Sequence, residues 1–392
     1  MRVTHIITRL VVGGAQENTV ATVLGLRRKS GVAVDLITGP TAGPEGSLEP
    51  ELKRFPGLPV IVPELIRPVH PLKDFLAMRR LTGLLRRTRP DLVHTHSGKA
   101  GVLGRLAAKR AGVPLIVHTI HGPSFGNFQG AAANLLFRAA ERHAARATTH
   151  FVVVADAMRT RYLAAGIGRP EQYTKIFSGF PLEPFLAAKN DPALRARLGL
   201  QPGDFVIGKI ARLFKLKGHD DLFAIAPELV HRCPQIKFLL VGGGEWRGRF
   251  EDRVKSLGLQ KHFIFTGLVP PAQMPPLVGL MDALVHLSRR EGLPRALPQA
   301  LAAGKPVVAC DCDGAREVCL DGRTGFLVQP GDLAGLQERL LRVIGDPALC
   351  DRLGRAGRDF VRENFAVEKM VDAIYYLYLK LAVKHGVNVP AG

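Results

Sequence analysis

Long apolar runs are missing from this sequence. Nowhere in its 392 residues do roughly 18 uncharged hydrophobic residues follow one another, the length that a membrane-spanning helix requires. The first residues, MRVTHIITRL, also lack the apolar core and the small-residue cleavage site of a secretory signal peptide. We therefore expect a protein that is made and kept in the cytoplasm.

Cysteines and aromatic residues are scarce as well. The five cysteines form an odd set without CxxC spacing, so neither a disulfide framework nor a zinc site is indicated. They are Cys233, Cys310, Cys312, Cys319 and Cys350, and we expect them to be small core residues. Aromatic residues make up only 6% of the chain. A nucleic-acid-binding protein would need aromatic platforms interleaved with cations, so that function is disfavoured.

Acidic residues are outnumbered by basic ones, 34 against 54, which gives a net charge of +20. Such a surplus attracts polyanions, among them nucleotide phosphates, nucleic acid and anionic membrane surfaces. Charge alone does not choose among these ligands, and a basic surface that serves only solubility would give the same count.

Short β-branched runs alternate with longer amphipathic segments along the chain, which is typical of βαβ units with a parallel sheet. Six strands are predicted in each half: 3–7, 34–37, 59–62, 91–94, 115–119 and 151–154, then 205–210, 236–241, 263–266, 283–287, 306–310 and 326–328. The predicted fold class is α/β, with two Rossmann-like, doubly wound parallel sheets.

Two domains are also expected from length, because single hydrophobic cores rarely grow beyond about 250–300 residues. Glycine and proline punctuate the segment SGFPLEPFLAAKNDPALRARLGLQPGDF between the halves. The sequence places an N-terminal domain at 1–190, a second domain at 191–365 and a C-terminal helix at 366–392. Ligands bind such sheets at the carboxyl ends of the strands, so we expect a site in a cleft between the domains.

Two strand ends carry candidate phosphate-binding residues. Gly13 and Gly14 follow the first strand and precede a helix, where backbone amides can approach a phosphate. A tight strand-to-helix turn explains the same glycines. Arg212 and Lys217 follow the strand 205–210 and provide two cations for a diphosphate. Solvated surface charges are the alternative.

The most informative segment is SRREGLPRALPQALAAGKPVVACDCDGAREVCLDGRTGFLVQPGD, residues 288–332. Glu291 lies in a turn between a strand and a helix and can accept hydrogen bonds from sugar hydroxyls. The amides of Gly292 and Leu293 can hold phosphate oxygens at the start of that helix. Gln299 follows Glu291 by about two helical turns and could reach ribose hydroxyls.

These motifs resemble family 4 retaining glycosyltransferases, which have the GT-B fold and contain the domain called glycosyl transferases group 1. That family's frame E-G-x-P-x-x-x-x-E-A-x-A-x-G-x-P-V-V is matched by EGLPRALPQALAAGKPVV, and its G-R-L-x-x-x-K-G element by ARLFKLKG. Gly13-Gly14 and DGAREVCLDGRTGFLVQPGD fit as well. The final FAVEKMVDAIYYLYLKL resembles the family's helix that crosses back to the N-terminal domain.

The resemblance implies roles for individual residues. Arg212 and Lys217 would hold the donor diphosphate, Glu291 would orient the transferred sugar, and His121, after the strand in LIVHTIHG, would face that sugar. Gln299 stands where the family has its second glutamate. Its amide side chain can still bind ribose hydroxyls, but without charge assistance. No cofactor and no metal are implied; the donor would be a nucleoside diphosphate sugar, with UDP as the expected nucleotide.

Four histidines lie at strand ends of the first half: His94, His96, His118 and His121. Three of them could make a metal site. No carboxylate or cysteine of suitable spacing joins them, so we expect His94 and His118 to be core residues with hydrogen-bonding neighbours. Lys99, in HSGKAG, is either an active-site cation or a first-turn surface lysine.

Residues 72–89, LKDFLAMRRLTGLLRRTR, predict a basic amphipathic helix. Its apolar residues Leu72, Phe75, Leu76, Leu84 and Leu85 would pack on the sheet of an ordinary Rossmann layer. The alternative is that Arg79, Arg80, Arg86, Arg87 and Arg89 meet an anionic membrane. We favour this peripheral contact, at the inner face of the cytoplasmic membrane.

The sequence therefore predicts an enzyme that transfers a sugar, with retention, to a glycan or lipid-linked acceptor in polysaccharide or glycolipid synthesis. Two alternatives stay open. Another GT-B enzyme such as an epimerase shares the scaffold, since the fold does not fix the chemistry. A catalytically idle nucleotide-sugar-binding subunit would account for Gln299.

Overall fold

The computed structural model describes residues 1–43, 46–126 and 128–387. The chain divides into two compact units. The first unit comprises Met1–Phe180 together with the chain from Val367 onward, and the second unit comprises Pro181–Ala366. The sequence instead placed the domain boundaries at 190 and 365. The C-terminal helix belongs to the first unit, as the resemblance implied.

Each unit contains one parallel sheet. Among the described residues of the first unit, the strands are β1 Arg2–Ile7, β2 Ala33–Thr38, β3 Val60–Ile61, β4 Leu92–His96, β5 Leu115–Ile120, β6 His150–Val153 and β7 Tyr173–Lys175. Their order is β3-β2-β1-β4-β5-β6-β7. Those of the second unit are β8 Phe205–Ile210, β9 Ile236–Val241, β10 Phe263–Gly267, β11 Ala283–His286, β12 Val307–Cys310 and β13 Gly325–Val328, in the order β10-β9-β8-β11-β12-β13.

Helices connect the strands. They are α1 Gly14–Leu26, α2 Glu49–Lys53, α3 Pro71–Thr88, α4 Gly98–Ala111, α5 Ala131–Ala145, α6 Asp156–Ala164, α7 Glu183–Leu186, α8 Pro192–Arg197, α9 His219–Arg232, α10 Arg247–Ser256, α11 Met274–Gly279, α12 Ala296–Ala302, α13 Leu333–Gly345, α14 Pro347–Asn364 and α15 Val367–Lys384. None of these helices combines the length and the apolar composition needed to cross a bilayer.

Successive side chains along a strand point to opposite faces of its sheet, and both faces are buried. In β1, Val3 and Ile7 pack under α1 and α15, whereas Ile6 packs under α3 and α4. Strands covered on both faces are continuously apolar, which is why short β-branched runs identified them in the sequence. The predicted fold class is confirmed, and every predicted strand is present. Strand β7 was missed because its three residues, Tyr-Thr-Lys, carry no apolar run.

The sequence analysis expected the apolar residues of helix 72–89 to pack on the sheet along its whole length, and this was wrong for the start of the helix. Helix α3 buries Ala77, Leu81 and Leu85, but Leu72, Phe75 and Leu76 are 63%, 51% and 39% exposed. The apolar stripe therefore packs on the first unit only from Ala77 onward. The first half presents apolar side chains to the surface, and in α5 Leu135 and Leu136 are also exposed.

Candidate active site

The second unit brings Lys217 and Glu291 together. Strand order reverses between β8 and β11, and loops at the carboxyl ends of these two strands carry the pair. Such a reversal leaves a crevice in which ligands of doubly wound sheets bind. The Lys217 Nζ lies 2.5 Å from Glu291 Oε1, and both side chains are about one-fifth exposed. A cation and a carboxylate thus meet where the fold predicts a ligand.

Glu291 has further partners on neighbouring strand ends. The ring of buried His286, at the end of β11, places Nε2 3.5 Å from Glu291 Oε1. The backbone N–H of Glu291 donates to Asp313 Oδ2 at 2.8 Å. Burial raises the pKa of the Glu291 carboxyl, but His286 and Lys217 lower it more, so the pKa lies well below its ordinary value. The residue is therefore a carboxylate at neutral pH.

The loop that carries Lys217 is fixed by its backbone. Leu216 has a φ of +71°, a left-handed conformation that is uncommon for a leucine. Its carbonyl accepts a hydrogen bond from the N–H of Arg289 at 2.9 Å and lies 3.3 Å from Ser288 Oγ. Gly218, at φ +65°, lies so close to Leu287 that an added Cβ would stand 2.0 Å from the Leu287 carbonyl oxygen. The loops after β8 and β11 are therefore locked together.

The remaining predicted residues of the second unit lie around this pair. Arg212 is on the same loop as Lys217, exposed, with its guanidinium 5.8 Å from the centroid of the Phe214 ring. Gly292 and Leu293 directly follow Glu291 and are buried. Gln299 is half-buried on α12, which begins at Ala296. The structure records no direct contact that would assign Gln299 a role.

Two residues near this site, Lys209 and His286, were missed by the sequence analysis. Lys209, on β8, is only 2% exposed, and burial lowers its pKa to about 7, a shift that the nearby carboxylates of Asp221 and Glu291 oppose. His286 and Lys209 were overlooked because each stands inside an apolar strand, where one polar residue gives no motif. The signal was present only as an unusual charge in a buried strand.

The first unit places Gly13 and Gly14 after β1, where Gly14 begins α1. Gly13 has an extended φ of 170°, which any residue adopts, and an added Cβ would lie 3.0 Å from Gln16 Oε1. The strand-to-helix turn that the sequence predicted is present. Lys99 pairs with Asp74 and donates to the Pro68 carbonyl, so it ties α4 to the start of α3.

His121 follows β5 and is half-buried. Its Nε2 lies 3.0 Å from Nδ1 of His96, and His96 Nε2 lies 2.9 Å from Nδ1 of His5. His94 contacts the Tyr378 hydroxyl and Thr119 Oγ1, and His118 contacts Thr95 Oγ1. The expectation that His94 and His118 are core residues with hydrogen-bonding neighbours is confirmed. His5, His94 and His96 also lie close enough together to hold a metal ion.

Comparison with known proteins identifies the family. Residues 13–176 match the model of the glycosyl transferase 4-like domain, and residues 190–360 match that of glycosyl transferases group 1. Over 327 residues the chain is 30% identical to the UDP-Gal:alpha-D-GlcNAc-diphosphoundecaprenol alpha-1,3-galactosyltransferase of Escherichia coli, covering 82% of this chain and 84% of the relative. The chain belongs to glycosyltransferase family 4. The resemblance inferred from its motifs is thereby confirmed.

Other comparisons agree with this assignment. The glycosyltransferase is 29% identical over 303 residues to a GDP-mannose-dependent alpha-(1-6)-phosphatidylinositol monomannoside mannosyltransferase of Mycolicibacterium smegmatis, covering 74% of this chain and 75% of the relative. HepE of Anabaena, solved in complex with UDP, has a TM-score of 0.80 at 24% identity, covering 97% of this chain and 100% of HepE. This structural likeness supports the GT-B fold of the glycosyltransferase.

Proposed function

We propose that this glycosyltransferase moves a sugar from a nucleoside diphosphate sugar, with UDP as the nucleotide, to a lipid-linked or glycan acceptor. The Lys217–Glu291 pair at the strand reversal of the second unit carries the proposal. HepE has been solved with UDP and with UDP-glucose, and the Escherichia coli relative uses UDP-Gal and a diphosphoundecaprenol-linked acceptor. These relatives favour an activated donor of the same class.

The chemistry follows from the charge that the leaving group acquires. When the bond between the anomeric carbon and the diphosphate breaks, negative charge develops on the departing oxygen. Lys217 and Arg212 provide fixed cations for that charge, which is the preorganised electrostatic stabilisation that enzymes use most effectively. These cations take the place of a divalent metal in the proposal.

Glu291 has a separate part in this mechanism. Its low pKa keeps the side chain an acceptor of hydrogen bonds, suited to the hydroxyls of the transferred sugar. One carboxylate oxygen is already engaged by Lys217 and His286. We therefore assign Glu291 to orientation of the sugar and propose retention by front-face displacement, in which the acceptor attacks the face that the diphosphate leaves.

The surface of α3 supports contact with a membrane. Leu72, Phe75 and Leu76 are exposed in its first half, and the guanidinium of Arg79 lies 5.9 Å from the Phe75 ring centroid. Exposed apolar residues beside cations are typical of helices that lie in the membrane interface. We propose that this half of α3 docks on anionic lipid at the inner face of the cytoplasmic membrane, where a lipid-linked acceptor is held.

A transfer assay tests the proposal. The protein is incubated with labelled UDP-, GDP- and ADP-sugars and a bacterial membrane-lipid extract, and NMR determines the anomeric configuration of the product. We expect a labelled glycolipid formed from a UDP-sugar with retained configuration. Nucleotide-sugar binding without any turnover would contradict the proposed enzyme and favour a binding subunit, and an inverted product would contradict the front-face mechanism.

A further inference from the structure

A chain of three imidazoles crosses the centre of the first unit and ends at His121. His5 lies on β1, His96 on β4 and His121 directly after β5, three strands that are neighbours in the sheet. The ring nitrogens are joined in series: His5 Nδ1 to His96 Nε2 at 2.9 Å and His96 Nδ1 to His121 Nε2 at 3.0 Å. His5 and His96 are fully buried, whereas His121 is half-buried.

The protons in such a chain must all point the same way. Burial lowers the pKa of His5 to about 3 and that of His96 well below its ordinary value, so each ring is neutral and has a single N–H. Each contact needs one donor and one acceptor. If His96 donates from Nδ1, it must accept at Nε2 from His5; if it donates from Nε2, it must accept at Nδ1 from His121.

The buried end of the chain decides between these directions. His5 Nε2 is buried and finds no hydrogen-bond partner among the described residues. If His96 donates from Nε2 to His5, then Nε2 of His5 carries the proton as an orphaned N–H, and orphaned buried N–H groups are rarer than under-satisfied acceptors. If instead His5 donates to His96 and His96 donates to His121, then Nε2 of His5 has no proton and both N–H groups have an acceptor.

We propose that His5 and His96 hold His121 in the tautomer with its proton on Nδ1, so that His121 offers a hydrogen-bond donor to an oxygen of the transferred sugar or its diphosphate. Because Nε2 is engaged by His96, Nδ1 is the nitrogen that carries the proton and can donate it to a further partner. The inference rests on the proposed function and extends it. His121 then donates a hydrogen bond to that oxygen of the sugar or its diphosphate and does not accept a proton from the acceptor. His5 and His96 are positioning residues.

A metal centre is the competing interpretation of this cluster, because His5, His94 and His96 lie within reach of one ion. Both nitrogens of His94 are already engaged, one by the Tyr378 hydroxyl and one by Thr119 Oγ1 at 2.6 Å. No carboxylate belongs to the group, so a dication there would be buried without a counter-charge among the described residues. The hydrogen-bonded chain accounts for these contacts without such a penalty.

The protonated nitrogen of His121 can be observed directly by NMR of the free protein with ¹⁵N-labelled histidine, its signals assigned by their loss in His121→Ala. We expect the proton on Nδ1 and a bare Nε2. A proton on Nε2, with or without one on Nδ1, would overturn the proposal. Stoichiometric binding of added Zn²⁺ that removes the imidazole N–H signals of His5 and His96 would overturn it as well.

Variants add a functional measurement. His96→Phe removes the donor to His121, and we expect the tautomers of His121 to mix. We expect kcat to fall about tenfold with an unchanged KM for the donor, by analogy with the loss of the hydrogen-bond partner of a metal-bound histidine. Tyr378→Phe is the matched control, because it removes an equally buried hydrogen bond from His94, outside the chain; it should leave the tautomer and kcat unchanged. Equal losses in both variants would refute the role of His96.

The two proposals can fail separately. The tautomer is measured without substrate, and it therefore does not depend on turnover. Wild-type protein that has the Nδ1 proton but transfers no sugar would contradict the proposed function alone. Active wild-type protein with the proton on Nε2 would contradict the imidazole chain alone.

Discussion

Replacing Lys217 with methionine removes one charge from the pair with Glu291 while keeping most of the side-chain volume. Removing one partner costs about 3–5 kcal/mol in a fully buried pair and about 0–1 kcal/mol in an exposed one. Because both side chains are about one-fifth exposed, we expect Lys217→Met to lower the free energy of unfolding of the second unit by about 2–3 kcal/mol. His286, 3.5 Å from Glu291 Oε1, then remains as the partner that Glu291 can recruit, but burial lowers the pKa of that imidazole and so opposes its protonation.

This loss should depend on pH in a defined direction. Lys217 lowers the pKa of both His286 and Glu291 in the wild-type protein, so both groups hold protons more tightly in the variant. A depressed carboxyl pKa stabilises the folded wild type above the unfolded pKa, and that contribution is lost as pH falls. Removing Lys217 also lets His286 take up a proton more readily, although burial still opposes that proton. The difference in stability should therefore shrink as pH falls, and most clearly below the ordinary carboxyl pKa of about 4.3.

Urea denaturation measures the effect, because the only tryptophan, Trp246, lies in the second unit and its fluorescence follows that unit. With a slope of about 2–3 kcal/mol per molar urea, the midpoint should fall by about 1 M. Lys215→Met, an exposed lysine on the same loop, should change the free energy by less than about 0.5 kcal/mol. The double variant Lys217→Met/Glu291→Gln should regain about 1–2 kcal/mol relative to additivity. Strictly additive losses would refute the reasoning.

Three further predictions concern individual residues. Gln299→Glu should preserve or raise donor affinity in calorimetry, since a carboxylate binds ribose hydroxyls with charge assistance; a tenfold weaker affinity would contradict this role. Gly218→Ala should destabilise the second unit by about 1–3 kcal/mol in urea because of its positive φ and the Leu287 carbonyl, whereas Gly248→Ala, in an open helical position, should be neutral or stabilising. Phe75→Ser/Leu76→Ser should reduce co-sedimentation with anionic vesicles at low salt without loss of stability; undiminished binding would remove α3 as the docking surface.

The fold could be predicted from sequence because buried parallel strands require continuous β-branched runs, and turns require glycine and proline. The three-residue edge strand β7 has neither signal, which is why it was missed. Helix α3 shows a different limit. Helical spacing identifies an apolar stripe, but it does not say how much of that stripe is covered, and Leu72, Phe75 and Leu76 at its start are exposed.

The candidate site was only partly predictable. Glu291 and Lys217 were identified from motifs, and the structure shows them in contact. The contact of His286 with Glu291 depends on the geometry at the end of β11, where the sequence shows only a short apolar strand. Likewise, the pairing of His5 with His96 requires β1 to lie beside β4, an adjacency that follows from the crossover of the sheet and not from proximity in sequence.

The most direct test of the central claim is the rate of sugar transfer at saturating donor in wild-type protein, Lys215→Met and Lys217→Met. Because Lys217 is assigned to the charge of the leaving diphosphate, its loss should slow transfer about 10²–10³-fold. Lys215→Met removes the same charge two residues away and should transfer at the wild-type rate. Equal rates in the two lysine variants would contradict the assignment of the site.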